Sequence, residues 1–349
     1  MRTLRTAGTT ASLVAAGLLA SAGPAAAGPS GTGDLAYSAG TAVGVHNAYE
    51  KDKYPYLADA LDSGAGLLEF DVWTNGLSKK WRVSHQNPVA NNNNCENAGS
   101  AAELRTKARD QSLDGCLADM KAWHDAHPGH RPVMLKIEMK DGFNSKRGKG
   151  PAEFDALVSA KLGDALYRPA GLLGRHATLD EAVRAEGWPS RSQLAGKFLI
   201  ELIPGTVEEK NPFDSLWTDR EYGEHLRDLA AAGTFSRATA FPAVHHAAAG
   251  DPRTRYKDTT IRPWFVTFDG DASSYVTDSG IDTAWYDRNH YLVTMSGAHG
   301  VAPAIDAVRP TEAQARARVA ELAADHASFA TSDWYPLPGV LSTVLPRGR

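Results

Sequence analysis

Apolar and polar residues alternate with a period of two in several short runs, and stretches of helical period lie between them. Thr41 to His46, Leu67 to Val72, Val133 to Met139, Phe198 to Ile203, Trp264 to Phe268, Tyr291 to Met295 and Phe329 to Ser332 read as strands, with Ala238 to Val244 a weaker eighth. Segments 153–166, 219–232 and 311–327 read as helices; the last is rich in Ala, Glu and Arg, with apolar residues at helical spacing. Such alternation predicts a mainly parallel sheet, and about eight strands favour closure into a single-domain TIM (β/α)8 barrel. An open doubly wound sheet competes, but the Gly-rich turn it normally carries does not follow the first strand.

The same alternation sorts the charges. Residues two apart on a strand share a face, so Glu69 and Asp71 point one way while Leu68, Phe70 and Val72 point the other. The run from Leu135 to Lys140 repeats the arrangement with Lys136, Glu138 and Lys140. In a parallel barrel both strand faces are buried, which sends these charged residues to the lumen or its mouth. A solvated face on ordinary edge strands is the alternative, and it fits one strand more easily than several. Buried carboxylates repel one another unless a cation lies between them. Glu69, Asp71 and Glu138 offer carboxylates, and Asn47 adds an amide oxygen beside His46. An oxygen-rich set of this kind suits calcium, with magnesium the alternative; zinc would draw on more histidine or cysteine. His46 and His85 supply groups that exchange protons near neutral pH. Two histidines with three strand-borne acids point to metal-assisted cleavage of a phosphodiester.

Composition adds a destination. Arg2 and Arg5 precede an apolar run, 11–20, too short to span a bilayer, and Ala25 to Ala27 offer small residues for a peptidase. Residues 1–27 are therefore expected to be a signal peptide cleaved after about Ala27, leaving 28–349 as a secreted domain. In an exported chain the two cysteines, Cys95 and Cys116, are expected to pair and to tie down the Asn91 to Asn94 run that follows His85. The net charge of −4 argues against a nucleic-acid partner.

The set His46-Asn47, Glu69-x-Asp71, His85 and Glu138 resembles, in identity and order, that of calcium-dependent phosphatidylinositol-specific phospholipases C, most closely their small secreted bacterial branch. The resemblance implies a barrel over the whole of 28–349, expected to be a monomer acting on phospholipid at a membrane or micelle surface. It implies Asn47, Glu69, Asp71 and Glu138 as calcium ligands. His46 would lie against the phosphate, as base or as stabiliser of negative charge, and His85 would protonate the leaving diacylglycerol oxygen. The inositol 2-hydroxyl would attack phosphorus to give a cyclic phosphate.

For the head group, Lys140 is the candidate phosphate contact, and Tyr335 places an aromatic ring at the barrel mouth. Glu201 is acidic where a base would help hold phosphorylated inositol, and the strand Tyr291 to Met295 lacks arginine. Both features weigh against polyphosphoinositides. A glycerophosphodiester phosphodiesterase has a similar barrel but usually begins with a His-Arg pair; Asn47 can ligate a metal and Arg cannot. A secreted lipid-binding barrel without activity is a third reading, which predicts erosion of the catalytic set. His124, His127 and His130 precede a strand, so they are expected on the surface at the far end of the barrel. His245 and His246 are expected near the pocket, and Asp269 as a lumen acid or a turn former before Gly270.

Overall fold

In the computed structural model, which describes residues 34–74, 79–276 and 280–349, the alternating runs become ten strands. These are β1 (Gly40–Val45), β2 (Leu67–Trp73), β3 (Arg82–Val83), β4 (Val133–Met139), β5 (Phe198–Pro204), β6 (Phe241–His245), β7 (Thr267–Asp271), β8 (Leu292–Ser296), β9 (Phe329–Ser332) and β10 (Val344–Pro346). Eight of them form a parallel ring in the order β1-β2-β4-β5-β6-β7-β8-β9, which closes because β1 pairs with both β2 and β9. β3 and β10 are short antiparallel additions to β2 and β1. The chain therefore forms the TIM barrel that its periodicity predicts.

Boundaries shift where turn chemistry competes with apolar character. Residues Arg262–Trp264 form a 3-10 turn with Pro263 inside it, so the seventh strand starts at Thr267 rather than Trp264. The helices run Pro151–Leu162, Thr218–Ala231 and Glu312–Ala324. The last is opened by a capping box in which Thr311 accepts from the Gln314 amide. Helix Leu113–Ala126, capped by Ser112, is an element the sequence pattern did not single out.

Apolar residues of β2 and β4 pack outward as expected, with Leu68, Phe70, Val72, Leu135, Ile137 and Met139 fully buried. Their neighbours fill the lumen with charge. Lys136 Nζ lies 2.7 Å from Asp269 Oδ2 and 2.9 Å from Ser296 Oγ, and Thr294 donates to Glu201 at 3.0 Å. Burial and the charge of Asp269 push the Glu201 carboxyl up to about 8, so this acid is mostly neutral at pH 7.

Cys95 and Cys116 form a disulfide. The asparagine run it anchors is a hydrogen-bonded spool: Asn94 Nδ2 donates to the Ala48 and Tyr54 carbonyls, both at 3.1 Å, and Asn93 Nδ2 to Val83 at 3.2 Å. It thereby ties the turn after β1 to the segment carrying His85. Replacing both cysteines by alanine is expected to lower stability by about 3 kcal/mol in the chain-entropy account. Urea unfolding under non-reducing conditions checks this, and an unchanged midpoint would contradict it. Among the described residues no helix is long and apolar enough to cross a membrane. The leader expected over 1–27 lies outside the described residues.

Candidate functional site

Parallel register brings the acids together. β2 and β4 align Glu69 with Lys136 and Asp71 with Glu138, at the C-terminal end of the ring. Ligand oxygens of Glu69, Asp71 and Glu138 all lie within 4.8 Å of one another. Asn47 lies in the turn after β1, next to Ala48, whose amide donates to the Glu69 carbonyl at 3.0 Å, and its φ of 49° places it in the left-handed region that asparagine tolerates. Its carboxamide oxygen is buried and accepts no hydrogen bond, and neither oxygen of Asp71 accepts one of good geometry. Burial and the negative charge of Glu138 push the Asp71 carboxyl well above the ordinary range, against the pull of Lys140. Glu138 is held low despite burial, by Lys140 and by the Thr206 amide that donates to it at 3.0 Å. That last contact requires close approach at Gly205, where a Cβ would stand 2.4 Å from the Lys140 Cα.

His46 follows β1 and borders a cavity of about 400 Å³ that Glu69, Lys136, Glu138 and Asp269 also line. Its Nδ1 faces Asp333 Oδ1 at 3.2 Å, which leaves Nε2 free. His85 is built alike, with Nδ1 3.4 Å from Glu50 Oε1. Lys53 joins the two pairs: its ammonium lies 2.6 Å from Asp333 and 3.3 Å from Glu50, and donates to the His46 carbonyl at 2.8 Å. Burial disfavours imidazolium at His46, but Glu69 and Asp333 outweigh it and hold its pKa above the ordinary value. Asp333 in turn is held down to about 2, against burial, by its bonds to His46 and Lys53. Asp333→Asn is therefore expected to lower the His46 pKa, as read from histidine ring-proton chemical shifts against pH. An unmoved titration midpoint would contradict the pairing.

Other expected site residues stand elsewhere. His85 is half-exposed and outside the cavity lining, linked to His46 only through Glu50, Lys53 and Asp333. Lys140 points into the acid cluster, 2.8 Å from Glu138 and 3.3 Å from Asp71, so its charge is spent on carboxylates rather than presented to a phosphate. Glu201 is fully buried and does not line the cavity, because its β5 position falls in the charged layer of the lumen. Tyr335 packs edge-on against Tyr54, with ring centroids 6.0 Å apart, and does not line the cavity. His245 and His246 do line it, as does Asp269, a lumen acid. His130 is a correction to the surface expectation: it is buried, with its ring 4.8 Å from that of Phe198, because the turn after helix Leu113–Ala126 folds back under the barrel. His127 is exposed. Glu50, Lys53 and Asp333 went unread as a network; the signal for Asp333 is a charged residue directly after a barrel strand.

A family model for calcium-dependent phosphoinositide phospholipase C matches residues 51–220. Among solved structures, a Ca2+-dependent phosphatidylinositol-specific phospholipase C from Streptomyces antibioticus is 69% identical, with a TM-score of 0.89 over 90% of this chain and 99% of its own. A calcium-dependent phosphoinositol-specific phospholipase C from Pseudomonas sp. is 19% identical, with a TM-score of 0.65 over 90% and 96% of the two chains, and supports the fold. No curated protein matches the chain.

Proposed function

Because the chain belongs to the calcium-dependent phosphoinositide phospholipase C family, we propose that it cleaves phosphatidylinositol, with calcium held by Asn47, Glu69, Asp71 and Glu138. The observation that carries the ligand assignment is the orphaned, buried Asn47 oxygen, one residue from the Ala48 amide that binds the Glu69 carbonyl, together with an acid cluster whose Asp71 oxygens also lack good hydrogen-bond partners. Charge supports it as well. Glu69, Asp71, Glu138 and Asp269 share Lys136 and Lys140, so carboxylates outnumber the lysines that face them where a divalent cation would sit. All-oxygen donors fit calcium. Bound there, calcium would neutralise phosphate charge and lower the pKa of a nearby hydroxyl.

The chain's own groups do the rest. His46, oriented through Nδ1 by Asp333, presents Nε2 to the cavity beside Glu69, where it takes the inositol hydroxyl proton or holds the negative charge on phosphate. His85, oriented by Glu50, stands at the margin of the site as the acid for the departing diacylglycerol oxygen. Lys53 holds both carboxylates and so fixes the two histidines relative to each other. Lys136 and Lys140 keep the acids from repelling the strands apart, and Lys140 must yield Asp71 and Glu138 in part when the cation enters.

Exposed apolar residues support a membrane-facing rim at the mouth. Among the described residues the exposed large hydrophobics are Val89, Val207 and Phe213, the last 95% exposed. All three lie in segments that leave the C-terminal ends of β2 and β5, around the site. We place the lipid surface against this rim. The disulfide fits an exported protein, as the Arg2-to-Ala27 pattern expects.

The test is release of soluble inositol phosphate from phosphatidylinositol vesicles by the purified protein, with calcium and then with excess chelator, beside a glycerophosphodiester. Calcium-dependent release from phosphatidylinositol alone is the expected result. Turnover of the glycerophosphodiester instead, or release that survives the chelator, would overturn the proposal.

A further inference from the structure

From a second cluster on the cavity wall, we propose a transition-metal site of the zinc class formed by Glu209, His245 and His246. It shares no ligand with the calcium cluster. Glu209 ends the short helix after β5, His245 ends β6 and His246 follows it. Ligand atoms of the three residues lie within 4.8 Å of one another. Glu209 Oε1 is 2.7 Å from His246 Nε2 and 3.6 Å from His245 Nε2. Zinc bonds of roughly 2.0–2.1 Å in a tetrahedron put ligand atoms about 3.3 Å apart, between these two distances. Adjustment of these side chains, of which His246 is exposed and the other two partly buried, completes the site.

A second observation points the same way. His245 Nδ1 lies 3.0 Å from Asp269 Oδ1, and Asp269 is buried against Lys136. The carboxylate stands behind the ring, on the side away from Glu209, where the carboxylates that support metal-ligating histidines usually lie; its contact with Nδ1 is one of charge, without hydrogen-bond geometry. The backbone is pinned too. Arg255 donates to the carbonyls of both His245 and His246, and His246 sits at a φ of 66°, which turns adjacent side chains of one strand end toward a common point. Nitrogen and oxygen donors of this mix suit zinc, cobalt or nickel, whereas calcium takes few nitrogen ligands. Three protein ligands leave a fourth position to water or to an anion in the cavity, since all three residues line it. A metal there stands in the same cavity as His46 and Glu138, within the space a phosphate head group enters.

The experiment uses the mature protein in saturating calcium, titrated with Co2+ as a visible-absorption probe and then with Zn2+ as competitor. One equivalent of Co2+ is expected, with the intense bands of a site of low coordination number, displaced stoichiometrically by Zn2+. His246→Ala and Glu209→Gln, both near the surface and away from the core, should each weaken binding at least ~10-fold. His127→Ala, at an exposed histidine on the far end of the barrel, should leave it unchanged. Three results would each overturn the proposal: no equivalent bound in calcium, an equivalent retained at full affinity in His246→Ala, or one lost in His127→Ala.

Discussion

His46→Ala lowers kcat on phosphatidylinositol by roughly 10²- to 10⁴-fold, the usual contribution of a positioned proton-transfer group. The expectation rests on geometry. His46 lines the cavity beside Glu69 and Glu138, and its Nδ1 is committed to Asp333, so Nε2 is the atom that meets the substrate. The change leaves the fold largely intact, because the ring is partly exposed and no core residue depends on it. Asp333→Asn should act through His46 and produce a smaller loss, together with a shift of the kcat/KM profile. Asp333 holds the imidazolium, so its loss lowers the His46 pKa and moves that limb to lower pH. Steady-state kinetics in mixed micelles checks both variants. A kcat within threefold of the parent in His46→Ala would remove this histidine from the chemistry.

Asp71→Asn abolishes calcium-dependent turnover and at the same time stabilises the calcium-free protein. These opposite signs come from one cause. Asp71 is buried among Glu69 and Glu138, and burial and their charge raise its carboxyl well above the ordinary value. A folded-state pKa above the unfolded one means that the charged form costs stability, a cost that grows as pH rises above about 3.9 toward the folded pKa. An amide removes that cost. It also removes an anionic ligand, so calcium affinity should fall at least ~10-fold. Calcium stabilises the folded protein in proportion to the logarithm of its concentration over Kd, so the parent's Tm should climb with calcium and the variant's should stay flat. Thermal melts in chelator and in millimolar calcium read both effects. A variant less stable than the parent in chelator, or equally stabilised by calcium, would contradict the account.

The barrel was legible because its strands announce themselves twice, by a period of two and by charges confined to one phase of it. Glu69, Asp71, Lys136 and Glu138 share the lumen because register aligns β2 with β4, and the alternation already states which residues face inward. What the sequence concealed was contact between residues far apart in the chain. Lys53 reaches Asp333 across 280 positions, and no local pattern encodes that meeting. Lys140 and Glu201 show the reverse failure. The inward phase of Lys140 is legible from the alternation, but depth along the strand decides whether it or Glu201 meets substrate or another buried charge. Tyr335 follows the last barrel strand as a site residue would, yet a tyrosine on the neighbouring turn, Tyr54, claims its ring. His130 precedes a strand, which places it at the far end of the barrel and suggests the surface, but a turn folded under the barrel lays it against Phe198.

The central claim is that the Asn47, Glu69, Asp71 and Glu138 oxygens form the calcium site on which catalysis depends. Crystals soaked in calcium and measured at a wavelength where calcium scatters anomalously test it most directly. The account predicts one strong anomalous peak bounded by all four side chains, at about 2.3–2.6 Å from their oxygens, with the Lys140 ammonium drawn back from Asp71. A peak elsewhere, with the Asn47 oxygen still unpartnered and Lys140 still on Asp71, would contradict it.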